Sequence, residues 1–138
     1  MALSAGIAFA RRGAHRGNDF GYPVAPDEQI WRGGQVCLNS SGQLLRPQTS
    51  GAVVPAGVAA QDYSNVGNSS PSSVLVPALR GCFALTVPGA TAANIGEPVY
   101  ATDDNTFTLS APGSGFAVAI GTLSGIDNGQ TYVLMAGS

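Results

Sequence analysis

From Ile30 onward the chain repeats one pattern: a short apolar or alternating run, then a cluster of Gly, Pro, Asn, Asp or Ser. Gln35-Val36-Cys37-Leu38 and Gln43-Leu44-Leu45-Arg46 flank Asn39-Ser40-Ser41-Gly42. A polar connection ending in Gly between two apolar runs predicts a hairpin. Gly33-Gly34 ahead of it suggests a bulge or a close backbone approach. Val53-Val54 and Gly57-Val58-Ala59-Ala60 follow, interrupted by Pro55, and residues 62–73, rich in Ser and Asn, predict a surface loop. Strands are expected over 74–76 and 79–87. Alternation in the second sets Phe83, Leu85 and Val87 on the core face and Cys82, Ala84 and Thr86 on the other.

The last third is the most legible. Pro98-Val99-Tyr100-Ala101 and Thr106-Phe107-Thr108-Leu109 surround Thr102-Asp103-Asp104-Asn105, a second predicted hairpin with turn-forming residues at its tip. A strand is expected over 116–123. Asp127-Asn128-Gly129 contains Asn-Gly, the strongest two-residue hairpin signal, and a closing strand is expected over 130–135. A short helix around 90–95 is the one helical candidate. Regularly spaced short strands predict an all-β fold: a small β-sandwich or β-barrel, jelly-roll or tulip-like, over residues 29–138.

Residues 1–28 lack both a helical stripe and strict alternation. Gly13, Gly17 and Gly21 punctuate them and Pro23 and Pro26 stiffen their end. Tails are usually disordered, but this one carries Phe9, Phe20 and Tyr22 beside its arginines and reads as an extended arm that lies on something. Arginine offers planar, multidentate hydrogen bonding and aromatics offer contact area. Phe9, Arg11, Arg12, Arg16, Phe20 and Tyr22 are therefore candidate contact residues for an acidic, apolar partner surface. Trp31, where the arm meets the body, is either a core plug or an interface anchor.

Composition narrows the chemistry. Only 10% of the 138 residues are charged, against about 25% in an average soluble domain. The 19 Gly and 9 Pro oppose long helices, since Gly costs ~1 and Pro ~3 kcal/mol inside one. The net charge is −2 and every basic side chain but His15 is an arginine. Without lysine there is no phosphate-loop lysine, Schiff base or Ser–Lys pair. A basic head (Arg11, Arg12, Arg16, His15) precedes an acidic body (Asp62, Glu97, Asp103, Asp104, Asp127), which opposes direct nucleic-acid binding.

His15, the only histidine, sits in the arm, where it cannot hold general-base geometry. One His and two separated Cys do not make a transition-metal cluster. Asp103-Asp104-Asn105 reads as a hairpin tip rather than a cation loop. Glu97 and Asp62 form no more of a glycosidase pair than any two acids. No catalytic, metal or cofactor site is expected. Cys37 and Cys82, each among apolar neighbours, read as buried free thiols, with a bridge left open. No stretch predicts a membrane span, and none predicts a signal peptide.

Gly34-Gln35-Val36-Cys37-Leu38 with Leu44-Leu45-Arg46-Pro47 resembles the opening hairpin of the capsid decoration (cement, head-stabilising) proteins of tailed bacteriophages. Gly57 to Tyr63 resembles the strand that follows in them. Residues 95–101, 103–108 and 119–121 resemble their C-terminal part. The likeness spans about 30–135 and rests on turns and strands. It implies a non-enzymatic virion protein on the outer capsid surface, made in the bacterial host cytoplasm. Its partners would be the major capsid protein and itself, as a homo-oligomer, trimer ahead of dimer, with no membrane partner. On that reading, deleting residues 2–22 leaves the body folded and weakens attachment. The alternatives are a receptor- or carbohydrate-binding module of a phage fibre, with Tyr63, Tyr100, Tyr132 and Trp31 as its platform, and a small hydrolase using His15.

Overall fold

The structure, a computed structural model, describes residues 1–12 and 19–138. The strands are β1 (Arg11–Arg12), β2 (Phe20–Pro23), β3 (Gln29–Ile30), β4 (Gln35–Leu38), β5 (Leu44–Leu45), β6 (Val54–Ala59) and β7 (Tyr63–Ser64). They continue with β8 (Leu75–Leu79), β9 (Cys82–Ala84), β10 (Pro98–Asp103), β11 (Thr106–Thr108), β12 (Gly121–Asp127) and β13 (Gln130–Met135). The fold is all-β, consistent with a small β-sandwich. A six-stranded sheet has the order β1-β9-β13-β12-β10-β11, a five-stranded sheet β2-β8-β6-β4-β5, and β3 pairs with β7. A single 3-10 turn, Ala92–Asn94, lies where the short helix was expected.

Two apolar clusters explain why the middle of the sequence reads as apolar runs rather than clean alternation. Cys37, Leu45 and Val58 of the five-stranded sheet join Phe83, Val99, Leu123 and Val133 of the six-stranded sheet in one cluster. Their chain neighbours Val36, Leu44 and Ala59 point the other way, into a second cluster with Val24, Ile30 and Val76. The five-stranded sheet is thus covered on both faces, and strands buried on both faces need apolar residues at successive positions. A parallel bridge, Val24 to Leu44, joins the continuation of β2 to β5, so the sheet curls around the second cluster until its edges meet.

Both predicted hairpins form. β4 and β5 pair through Cys37–Leu45 and Leu38–Leu44, and β10 pairs with β11 through Tyr100–Thr108 and Ala101–Phe107. Asn128-Gly129 closes β12 onto β13. Both residues have positive φ, 51° and 76°, the left-handed pair that a two-residue turn of the primed type requires.

Four expectations need correction. Pro55 does not interrupt its strand. It sits opposite Cys37 beside a bulge between Val36 and Cys37, a place where the missing N–H is tolerated. Residues 79–87 are not one strand: β8 ends at Leu79 in one sheet and β9 begins at Cys82 in the other. Phe83 and Val87 are buried as expected, and Leu85 packs partly against the first cluster. Residues 116–120 are irregular, and the strand starts at Gly121; Phe116 and Ile120 still fill the core. The loop 62–73 contains β7 and a buried Asn65, whose Nδ2 donates to the carbonyls of Val24, Ala25 and Ser70 at 3.3, 3.0 and 2.9 Å.

The boundary expected at residue 28 does not separate arm from body. Residues 1–10 are extended, but β2 pairs with β8 along its whole length, and Val24 is 0% exposed. Removing residues 2–22 would take β1 from the edge of the six-stranded sheet and most of β2 from the edge of the five-stranded one, so that truncation is expected to destabilise the body. Both cysteines are free: Cys37 is buried, and Cys82 is only half-buried. Burial pushes the Cys37 thiol pKa far up.

Candidate binding surface

Because Phe83, Leu123 and Val133 point inward, their strand neighbours point outward, away from the rest of the chain. The pairing aligns Arg12, Cys82, Leu134, Thr122 and Pro98 in one row across five strands. Ala84, Tyr132 and Gly125 form the next row. Leu134, on this face, is 41% exposed, whereas Ile126 pairs with the inward-facing Thr131 and lies on the other side of the sheet. This outward face spans five strands.

Its one charged feature is internally balanced. The Arg12 guanidinium lies 4.8 Å from the Tyr132 ring centroid and its Nη2 is 2.9 Å from Asp127 Oδ2. Asp127 raises the Arg12 pKa, chiefly by hydrogen bonding to it. With Cys82, Ser124, Gly125 and Ile126 these residues line an open depression of about 420 Å³.

The candidate contact residues of the arm divide. Phe9 stacks at a tilt on Phe83, centroids 5.9 Å apart, and Arg32 covers it at 5.0 Å. Arg11 pairs with Asp19 at 3.0 Å and donates to the Arg80 carbonyl at 3.1 Å. Arg12 lies on Tyr132 and Asp127, so the basic head meets the acidic body of its own chain. Tyr22 packs against the second cluster. Phe20 is 57% exposed and is the arm's free aromatic surface. Trp31 is half-buried and belongs to neither cluster. His15 and Arg16 lie outside the described residues.

Two of the four aromatics considered for a carbohydrate-binding platform are engaged by the chain itself. Tyr63 packs on the second cluster, and the Tyr132 ring is occupied by Arg12. Among the described residues no group of three or more His, Cys, Asp or Glu is placed to hold a metal. Among the described residues no helix is long and apolar enough to cross a membrane.

The Asp103–Asn105 tip is also not the solvated turn its composition suggests. Residues 1–10 cross it, and Asp104 is 1% exposed. Its Oδ1 accepts from Leu3 N at 2.9 Å, whereas Oδ2 has no hydrogen bond of normal geometry among the described residues. Burial, the largest influence, raises the Asp104 pKa; the Leu3 N–H, the Arg46 charge and the nearby Gln48 amide oppose it, and Asp103 adds to it. The raised value fixes the sign of the pH effect. The folded chain holds this proton more tightly than the unfolded chain, whose aspartates titrate at about 3.9. The associated stability is complete below that value and is lost as pH rises through the raised pKa. Asp104→Asn keeps the acceptor for Leu3 and removes the buried charge. It is expected to raise the melting temperature at pH 7 and to flatten the loss between mildly acidic and neutral pH. Thermal melts across pH would show an unchanged profile if the buried carboxylate carried no such penalty.

No family model, curated protein or solved structure matches the chain.

Proposed function

We propose that the protein is a structural virion protein that binds the outer surface of an icosahedral phage head and stabilises contacts between major capsid subunits. The resemblance of residues 30–135 to decoration proteins supports this, and the carrying observation is the outward face of the six-stranded sheet. That face is broad, weakly charged and uncovered by its own chain, with Leu134 and Tyr132 among small polar residues. Apolar groups interspersed with neutral polar ones suit a protein interface, whose core is poor in charge. Repetition over a lattice lets many modest contacts act together. The single ion pair on the face leaves no net field to repel a neighbouring copy.

The test is the composition and density of purified particles. The chain is expected in fixed proportion to the major capsid subunit, with its density on the outer shell at local symmetry axes. Particles that lack it, or that carry it only on a fibre or tail, would refute the proposal. A fibre location would favour a receptor-binding module, which the covered Tyr132 ring disfavours.

A further inference from the structure

We propose that residues 1–12 are a strap that two copies of this chain exchange, each strap lying in the groove of the other copy. This goes beyond the capsid reading and holds whether or not the chain decorates a head.

The strap is held without being buried. None of its residues is fully buried, and only Leu3, Phe9 and Arg11 are half-buried. Up to Ala10 its hydrogen bonds are made by main-chain groups, while the Phe9, Arg11 and Arg12 side chains add the contacts described above. Leu3 N donates to Asp104 Oδ1 at 2.9 Å, Ile7 N to the Arg32 carbonyl at 2.8 Å, and Ala84 N to the Ala10 carbonyl at 3.0 Å. The α-amine donates to Thr106 Oγ1. A cavity of about 230 Å³ is lined by Ile7, Ala8 and Phe9 of the strap together with Ala84, Thr86 and Phe107 of the body. A segment with little buried surface and an imperfect seat lies at the low-stability end of a structure.

The groove nevertheless fits this segment and no arbitrary one. Gly33, at φ 81°, lies so close that an added Cβ would stand 2.6 Å from the Ile7 carbonyl oxygen; at Gly34 it would stand 3.0 Å from Leu3 Cδ1. On the strap, a Cβ at Gly6 would stand 2.4 Å from Asp62 Oδ1. A second copy carries the same sequence and offers the same fit. The contacts made within one chain and between two chains are identical, so exchange loses none of them and its extent is set by concentration. Lifting the strap also frees the edge of β9, which β1 now covers through Arg11–Phe83 and Arg12–Cys82, and a freed edge favours re-pairing with another strand.

The chain allows a direct test because, with no lysine, its α-amine is its one primary amine. That amine sits on Thr106 Oγ1, which itself donates to Asp103 Oδ2 at 3.0 Å. Equal amounts of unlabelled and nitrogen-15-labelled protein are mixed at high concentration, incubated and coupled with a carbodiimide. Peptides joining Met1 to Asp103 are then read by mass. Exchange predicts that mixed-label links rise from none to about half of all such links, the statistical value, and that they fall on dilution before mixing. Same-label links alone, or no Met1 link at all, would overturn the proposal. Gly6→Val, which crowds Asp62 from the strap side, is expected to reduce mixed-label and same-label links together at unchanged far-UV circular dichroism. Undiminished mixed-label links in that variant would also overturn it.

Discussion

Replacing Glu28 with alanine is expected to cost about 3 kcal/mol of folding stability, the lower end of the range for breaking a buried ion pair. The Glu28 side chain is 3% exposed and its Oε1 lies 2.9 Å from Arg46 Nη2. Arg46 also donates through Nε to Oε1 at 3.2 Å and through its backbone N to Oε2 at 3.0 Å. The backbone N of Gln29 donates to Oε1 at 3.0 Å, and the Thr49 hydroxyl to Oε2. One carboxylate therefore ties the segment after β2 to the turn after β5. Alanine would leave two backbone N–H groups, a hydroxyl and a guanidinium without their acceptor, and an unsatisfied buried donor costs ~1–3 kcal/mol. The Arg46 side chain is 25% exposed, so water recovers part of its loss, which places the estimate at the low end.

For a chain of this size, 3 kcal/mol corresponds to a fall in melting temperature of roughly 10 °C. Glu28→Gln keeps an acceptor for the backbone donors and should lose about half as much. Equal melting temperatures for Glu28→Ala and the parent would show that the pair repays no more than its own desolvation. Arg46→Met, which removes the cation but leaves Glu28 buried, provides the other half of the comparison. It should be at least as damaging, because the stranded carboxylate is far less exposed than the stranded guanidinium.

Glu28 also marks where local pattern stops being informative. Turn chemistry is local, so Asn39 to Gly42 and Asn128-Gly129 declared their hairpins. The five-stranded sheet was harder. Its strands are covered on both faces, so Val36-Cys37-Leu38 and Leu44-Leu45 gave apolar runs without a face to assign. β2 has four residues, two of them Gly21 and Pro23, and nothing in it signals a strand. Its membership in the fold depends on β8, more than fifty residues away in the chain. The same holds for the arm's charges. Arg12 and Phe9 were legible as contact-forming residues, but their partners Asp127, Tyr132 and Phe83 lie more than seventy positions further along the chain. Likewise Asp103-Asp104-Asn105 had the composition of an exposed tip, and only the path of residues 1–10 buries it. The outward sheet face was partly readable, since alternation in 80–87 set Cys82 and Ala84 opposite Phe83. Its row across five strands needed the pairing register.

Phe83→Ala is expected to lower stability by about 3–5 kcal/mol, the usual cost of emptying a buried phenylalanine site. Phe83 is 0% exposed and is among the largest side chains wholly inside the protein. It lies on β9, between β1 and β13, where backbone pairing on both sides limits collapse into the vacated space. Its ring also meets Phe9 at 5.9 Å and an interplanar angle of 55°, and the Arg11 guanidinium lies 5.9 Å from its centroid. The substitution should therefore loosen the N-terminal strap as well as the core, seen as faster amide exchange at Ile7 and Ala84, whose N–H groups are bonded across the strap–body junction. Phe9 is only partly buried, so Phe9→Ala should cost less than half as much while accelerating the same amides. A double-mutant cycle isolates the contact. Tilted aromatic pairs are worth about 0.5–1.5 kcal/mol beyond their buried area, and the pair of substitutions should fall short of the sum of the singles by that amount. Strict additivity would mean that Phe9 rests on the body without drawing stability from Phe83, and the strap would then be held by its backbone bonds and the contacts of Arg11 and Arg12.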